Sequence, residues 1–287
     1  MNQSVKLLFG GRESAFSDVD AILREVAASE VMPRFRQLES GDIREKNPGD
    51  LVTVADVESE RRFGELLPQL LPGSRVVGEE AASADPSVMD ALASEGPVWI
   101  VDPVDGTNNF ANGKECFALI VALVAGGETL AGWIHDPVAD VTAMAGAGEG
   151  AWMDDGTRLE IPSDIKISAM TGTAPKRVRR RLAERGPING HPMPAKLVHY
   201  RCAGREYMDM VRGRLHFARF GRWLKPWDHA AGILVHREAG GHAALCKTGA
   251  AYGPADGIIE GPLLVAPNAD DWQALRPVLF EDGSERS

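Results

Sequence analysis

The stretch WIVDPVDGTNNF, residues 99–110 of a 287-residue chain, sends the apolar run Trp99-Ile100-Val101 straight into Asp102 and Asp105. Two carboxylates three positions apart at the mouth of a buried strand repel each other unless a cation sits between them. Hard oxygen ligands of this kind suit Mg²⁺, which keeps several waters and is commonly completed by a phosphate. The Val104 carbonyl lies between the two acids and offers a neutral oxygen in the same turn. Gly106, Thr107 and Asn108 then stand at the start of an expected helix, where free N–H groups and the helix dipole attract phosphate. The Thr107 hydroxyl is available to hold and polarise an attacking water. Carboxylates for metal beside amides for phosphate describe a site for a phosphorylated substrate.

Three more places put acids where a strand stops or a helix begins: Asp56 after LVTVA, Glu79-Glu80 after SRVVG, and Asp228 after KPW. Each has a plainer reading. Asp56 and Asp228 could serve only as helix N-caps, worth about 1 kcal/mol each. Glu79-Glu80 could open a surface loop, and Asp-Gly is a common turn. The recurrence of the pattern weakens those readings and favours convergence on one centre. Other motif chemistries fit poorly. DPVDGT lacks the spacing of a calcium loop, the two aspartates are one residue too far apart for an aspartyl-phosphate phosphatase, no P-loop is present, and GAGEGA has strand-like flanks. No Ser/His/Asp or cysteine nucleophile set stands out. His135 reads as a loop or core residue, and His229 as either pocket-lining or structural.

The elements that must position these residues follow from periodicity. DVDAILREVAASEVMPRF reads as an amphipathic helix with Val19, Ile22, Leu23, Val26 and Ala27 on one side. DLVTVAD is a short strand, and DVESERRFGELLPQLLPG a helix capped by Asp56 and stopped at Pro72-Gly73. SRVVGEE, PVWIVDP, CFALIVALVAGG, ETLAGWIHDP, DVTAMAGAG and GAWMDDGTRLEI read as successive strands. After residue 163, short strands (KLVHYRC, LHFARF, GHAAL) alternate with helices (GREYMDMVRG, DHAAGILVHREAGG), and GPINGHPMP reads as a mobile loop. The expected organisation is an α+β half, 1–163, carrying most of the acids, followed by an α/β half, 164–287, carrying Asp228, with one shared layered core.

Composition narrows the class. Hydrophobic content of 44%, charged content of 25% and a net charge of −10 describe a globular protein unsuited to bulk nucleic-acid binding. Apolar runs fall short of a membrane span, and MNQSVKLLFGGRES is too weakly apolar for a signal peptide, so a cytoplasmic location is expected. Cys116, Cys202 and Cys246 lack the spacing of a zinc site or disulfide framework. PKRVRRRLAERG (175–186) reads as a solvated helix face or, less simply, as a surface meeting an anionic substrate or partner.

Three motifs together resemble the inositol monophosphatase family, within the Mg²⁺-dependent, lithium-sensitive sugar and inositol phosphatases. They are GEE (78–80) followed by WIVDPVDGTNNF, PWDHAAGILVHREAGG (226–241), and the upstream DLVTVAD (50–56). The resemblance covers about residues 20–260. It implies a layered αβαβα fold, a homodimer, and hydrolysis of a phosphate monoester by metal-activated water without a covalent intermediate. By matched position, Glu79, Asp102 and the Val104 carbonyl would bind one Mg²⁺, and Asp102, Asp105 and Asp228 a second, for two or three ions per site. Asp56 and Thr107, with Glu79, would form the catalytic set that orients and deprotonates the attacking water. Asp105, Gly106, Thr107, Asn108 and Asp228 would contact the phosphorylated substrate. Glu80 would support Glu79 or touch a further metal, and Lys46 is the candidate for a lysine common near the first metal loop.

The substrate is where this chain departs from the pattern. Inositol-specific members usually carry G-[ST]-A after a strand and a Glu seven residues before the metal-binding Asp. Here Cys202-Ala203-Gly204 and Gly221 stand at those places, in a basic neighbourhood of Arg201, Arg205, Arg219, Arg222 and Lys225. The basic residues fit either a second anionic group on the substrate or plain surface and interface positions. Asn-Phe at 109–110 favours an inositol or sugar phosphate. Histidinol phosphate, fructose 1,6-bisphosphate and a nucleotide 3′-phosphate stand as alternatives, and a catalytically silent binding subunit as the rival of a different class.

Overall fold

A computed structural model of the chain describes residues 8–9, 14–186, 188 and 190–280. Most of the N-terminal stretch read for a signal peptide, and two positions of the expected loop GPINGHPMP, lie outside the described residues. The chain opens with α1 (Ala15–Val26), whose apolar face is Val19, Ile22, Leu23 and Val26. The expected helix continues beyond it only as a π turn over Ala27–Val31. The hairpin β1 (Ile43–Asn47) and β2 (Asp50–Thr53) then leads into α2 (Val54–Leu70). The cap of α2 is Thr53, not Asp56. Thr53 Oγ1 accepts from the Ala55 N–H at 3.2 Å, while the Asp56 carboxylate accepts from the Thr53 N–H at 2.8 Å. That reciprocal capping box starts the helix three residues earlier than an Asp56 cap would.

Next come β3 (Arg75–Gly78), α3 (Glu79–Ala84), β4 (Val98–Asp105), α4 (Thr107–Ala111), β5 (Ala118–Ala125), β6 (Glu128–Asp136), β7 (Val141–Gly146) and β8 (Gly150–Met153). The six strands form one sheet in sequence order, parallel at β3–β4 and antiparallel elsewhere. GAGEGA is thus the β7–β8 hairpin. The remainder runs β9 (Thr171–Thr173), α5 (Lys176–Arg185), β10 (Lys196–Val198), α6 (Ala203–Val211), β11 (Phe217–Arg219), β12 (Trp223–Leu224), α7 (Pro226–Glu238), β13 (His242–Leu245), β14 (Ile259–Glu260), β15 (Leu263–Ala266) and α8 (Ala269–Leu279). Its five-stranded sheet has the order β10-β9-β11-β15-β13.

Alternation along the strands sorts side chains into layers. Trp99, Val101, Leu119, Val121 and Leu123 pack with α1 and α2. Val98, Ile100, Ala118, Ile120 and Ala122 face α6 and α7 together with Ala218 and Val265 of the smaller sheet. Phe217, Leu264 and Ala266 point the other way, onto Val178 and Leu182 of α5 and Trp272 and Leu275 of α8. Helices, sheet, helices, sheet, helices: this is the αβαβα layering. Both faces of the large sheet are covered, which is why ALIVALVA in β5 reads as an unbroken apolar run instead of alternating with polar residues. The layer of α6 and α7 is very close. A Cβ at Gly232 would overlap the Tyr207 ring, so glycine there sets the approach of the two helices.

Candidate active site

In a regular strand, residues three apart point to opposite faces. Asp102 and Asp105 escape that rule through a bulge. Asp102 pairs with Ile120 and Asp105 with Ala118, so β4 fits one residue more than β5 between these points. Val104 is thereby turned to the α1/α2 side, and both carboxylates emerge toward α6 and α7. Pro103, which has no N–H to lose from the ladder, sits at the irregularity. Gly106 then turns the chain with φ +87°, and a Cβ there would crowd the Cys116 carbonyl and Cys202.

Asp228 reaches the same place from the first turn of α7, where Lys225 is the N-cap. Ligand oxygens of Asp102, Asp105 and Asp228 lie within 4.8 Å of one another. They line an opening of about 200 Å³ with Asp50, Glu79, Thr107, Asn108, Arg201 and Lys225 among its walls. Burial raises the Asp102 carboxyl well above the ordinary range, and Glu79, Asp105 and Asp228 add to the shift. Asp228 is pushed up to about 8 by burial and by Asp105 and Glu79, against Lys225. Asp105 is raised by burial, and hydrogen bonds from Cys202 Sγ (3.1 Å) and the α6 N–H groups of Gly204 (2.6 Å) and Ala203 (3.2 Å) oppose this.

Glu79 differs from these three. It is buried, but Lys225 Nζ donates to its Oε1 at 2.9 Å and Lys46 Nζ at 3.3 Å, and Lys46 also donates to Glu80 at 2.8 Å. Burial acts to raise the Glu79 carboxyl, yet the two ammonium groups outweigh it and hold the pKa below the ordinary glutamate value. Glu79 and Glu80 open α3 directly, with no surface loop between. Sequence reasoning missed the residue that arranges this. Glu60 on α2 accepts from the N–H groups of Glu80 (2.7 Å) and Ala81 (2.8 Å). A Cβ at Gly78 would overlap the Glu60 carboxylate. The glycine of GEE is therefore a space requirement for a partner 18 residues upstream, which no local pattern announces.

Thr107, which also lines the opening, has Oγ1 3.0 Å from Asp56 Oδ1 and 3.0 Å from the Val104 carbonyl oxygen. Asp56 is buried and raised to about 7 by desolvation, its hydrogen bonds from Thr53 opposing. The Asn108 amide donates to the Gly49 carbonyl at 3.1 Å and ties α4 to the β1–β2 turn. Gly106, Thr107 and Asn108 line the opening, at the start of a helix only five residues long.

Both histidines considered from sequence are structural. His135 is buried in β6 with Nδ1 3.0 Å from Thr142 Oγ1. His229 is held by Tyr207 Oη at 3.2 Å and by the edges of Phe220 and Tyr252. The basic group divides. Arg205 pairs with Asp136, Arg222 with Glu260, and Lys225 with Glu79. Arg201 lines the acidic opening and, with buried Arg219, a second cavity beside it.

The donor set suits a divalent cation. Asp102 Oδ1 is buried without a hydrogen-bond partner, and an orphaned carboxylate oxygen among other acids is costly unless a positive charge meets it. Lys46 and Lys225 compensate Glu79 and Glu80, leaving the three aspartates short of counter-charge. All-oxygen donors select a hard ion of the Mg²⁺ type.

Residues 14–276 match the model of the inositol monophosphatase family. The inositol-1-monophosphatase of Bacillus subtilis strain 168 is 32% identical over 202 residues, covering 68% of this chain and 72% of that protein. A fructose-1,6-bisphosphatase/inositol-1-monophosphatase of Aquifex aeolicus is 31% identical over 236 residues, covering 79% of this chain and 83% of that one. Among solved structures, the extragenic suppressor protein suhB of Bartonella henselae has a TM-score of 0.75 at 22% identity, covering 94% of this chain and 100% of that chain.

Proposed function

The chain belongs to the inositol monophosphatase family of phosphate-monoester hydrolases, and from that premise we propose how its acidic opening performs the reaction. The substrate is the phosphate monoester of an inositol or sugar-like alcohol. Asp102, Asp105 and Asp228, with Glu79 and the Val104 carbonyl, would hold two or three Mg²⁺ ions. Bound Mg²⁺ supplies charge neutralisation for the phosphate and lowers the pKa of water. The observation that carries the reading is the meeting of three buried or half-buried aspartates within 4.8 Å of one another, in an opening that Thr107 also lines.

The protein's own part is orientation and proton handling. The Thr107 hydroxyl has one proton and two acceptors, Asp56 Oδ1 and the Val104 carbonyl. It can therefore accept from an attacking water while passing its own proton toward Asp56. A carboxyl raised to about 7 is matched as a base to neutral pH. The first N–H groups of α4, at Thr107 and Asn108, have no intrahelical partner by helix geometry and, with Gly106 preceding them in the lining of the opening, would serve as phosphate donors. Lys225 and Lys46 together hold Glu79 below its ordinary pKa. A silent homologue is not favoured, because each expected ligand position keeps an oxygen donor. A homodimeric assembly, lithium sensitivity and a cytoplasmic setting belong to the same proposal. They rest on family membership; no described helix is long and apolar enough to cross a membrane.

Phosphate release from inositol 1-phosphate with Mg²⁺, compared between wild type and Asp105→Asn, tests the reading. A loss of at least about 10²-fold in kcat/KM in the variant is expected. Equal rates in the two proteins would remove the mechanism.

A further inference from the structure

Cys116 and Cys202 are far apart in sequence, and no local spacing marks them as a pair. The fold brings them together beside Asp105. The buried Asn109 amide donates to the Cys116 carbonyl at 2.8 Å, to the Tyr200 carbonyl at 2.8 Å and to the Arg201 carbonyl at 3.4 Å. One side chain thus clamps the two cysteine-bearing segments. Cys116 Sγ lies 3.9 Å from the Tyr200 carbonyl oxygen, two residues before Cys202. A Cβ at Gly106 would stand 3.0 Å from the Cys116 carbonyl oxygen and 3.3 Å from Cys202 Sγ, so both cysteines press on the same glycine. We propose that Cys116 and Cys202 form an oxidative modification site: a hydroperoxide joins them as a disulfide, and the bond loosens the donors that position Asp105. The effect on rate rests on the phosphatase reading; the bond itself does not.

The two thiols differ as attacking and resolving groups must. Cys116 is half-buried beside exposed Glu115, whereas Cys202 is buried, so an oxidant reaches Cys116 first. Cys202 and the Arg205 guanidinium lower the Cys116 pKa against the effect of burial, which favours the reactive thiolate. Arg205 is held nearby by Asp136 and by the Glu115 carbonyl. Cys116 Sγ attacks one peroxide oxygen, the O–O bond breaks, and the departing hydroxide takes up the proton the thiol lost and leaves as water. Cys202 Sγ then attacks the sulfur of the resulting sulfenic acid. The S–O bond breaks, and a second water carries off the Cys202 proton. The two thiols lose two electrons and the peroxide gains them. Cys246 packs in a different cluster, among residues of α5 and α8, and takes no part.

The buried sulfur also positions an aspartate of the acidic opening. Cys202 Sγ donates to Asp105 Oδ2 at 3.1 Å. As the N-cap of α6, Cys202 precedes the Ala203 and Gly204 N–H groups that hold the same carboxylate at 3.2 and 2.6 Å. A disulfide sulfur has no proton to donate, and drawing Sγ toward Cys116 shifts the start of α6. Asp105 then loses one donor outright while the other two are displaced. Removing a hydrogen-bond partner of a metal-binding side chain costs about 10–100-fold in metal affinity or activity. Reduction of the disulfide restores the donor, so the change is reversible.

The full chain is treated with hydrogen peroxide, the peroxide is removed, and cysteine-peptide masses, Mn²⁺ affinity by calorimetry and phosphate release from inositol 1-phosphate are measured. The expected product is a Cys116–Cys202 peptide lighter by two hydrogens than the separate thiols, with Cys246 still free. Mn²⁺ affinity and rate should each fall by about tenfold or more, and dithiothreitol should restore both. Cys116→Ser should match untreated wild type in rate and keep that rate after peroxide, and Cys246→Ser should still respond as wild type does. No cross-linked peptide, a cross-link that leaves Mn²⁺ affinity unchanged, or equal inactivation of wild type and Cys116→Ser would each overturn the proposal. A reduced protein that releases no phosphate counts against the phosphatase reading alone, because the cross-link and the affinity are measured without substrate.

Discussion

Thr107 Oγ1 lies 3.0 Å from Asp56 Oδ1, joining the first turn of α4, where Thr107 lines the acidic opening, to the first turn of α2 behind it. Asp56 is itself the third residue of a capping box, so the group proposed as base is immobilised by the same bonds that start its helix. Removing the relay while keeping the shape, as in Thr107→Val, should lower kcat by about 10²–10⁴-fold. Thr107→Ser should retain most of the activity. Similar rates for the Val and Ser variants would contradict the relay.

The same pair sets a pH dependence. Asp56 acts when ionised, and burial raises its pKa to about 7. The rate should therefore climb with pH up to about 7 and level off above it, and Asp56→Asn should lack that limb. A profile already flat from pH 5 in wild type would remove Asp56 from the proton path.

Asp102 carries a different expectation. Its Oδ1 is buried and unpartnered among acids, so the metal-free protein bears a cost that the Asn variant avoids. Without metal, Asp102→Asn should melt higher than wild type. With Mg²⁺ the order should reverse, because only wild type gains the stabilisation of binding to the native state. An equal Mg²⁺-induced rise in both proteins would show that the ion binds elsewhere.

Glu206 makes a stability prediction independent of activity. Its folded pKa of about 8 lies above the ordinary 4.5 because of burial. The contribution is thus fully present below about 4.5 and is lost as pH rises through about 8. Wild type should lose on the order of 3 kcal/mol relative to Glu206→Gln between about pH 5 and pH 8. Urea midpoints at the two pH values measure this, and parallel pH dependence in both proteins would be the contrary result.

Gly232 tests the scaffold. Alanine there would overlap Tyr207, forcing α6 and α7 apart at a typical cost of about 1–3 kcal/mol. Those helices carry the Gly204 N–H that binds Asp105, and Asp228 itself. The variant should lose both denaturant midpoint and phosphatase rate. Normal values of both would mean the close approach is not what positions the acids.

The large sheet was legible because its strands end in glycine turns and its apolar runs are long, and the layered fold followed from them and from the resemblance. Less legible were features that depend on residues far apart in sequence. The spacing of Asp102 and Asp105 gives no hint of the bulge that puts them on one side, since register is decided by β5. Glu60 reads as one more charge on an exposed helix until α3 is brought against it. Lys225 is one basic residue among five until α7 sets it on Glu79. Asp56 reads from sequence as a cap, but Thr53, three residues earlier, does the capping and Asp56 is its reciprocal partner. His229 adjoins Asp228 in sequence but points into an aromatic cluster, as neighbours on a helix do not share a face.

The central claim is that Asp102, Asp105 and Asp228 gather around divalent cations. Crystals grown with Mn²⁺ in place of Mg²⁺ test it most directly, through the anomalous signal of the metal. The account predicts at least one strong peak with oxygens of all three aspartates at about 2.0–2.5 Å. An active, Mn²⁺-saturated enzyme with no peak among these carboxylates would contradict it.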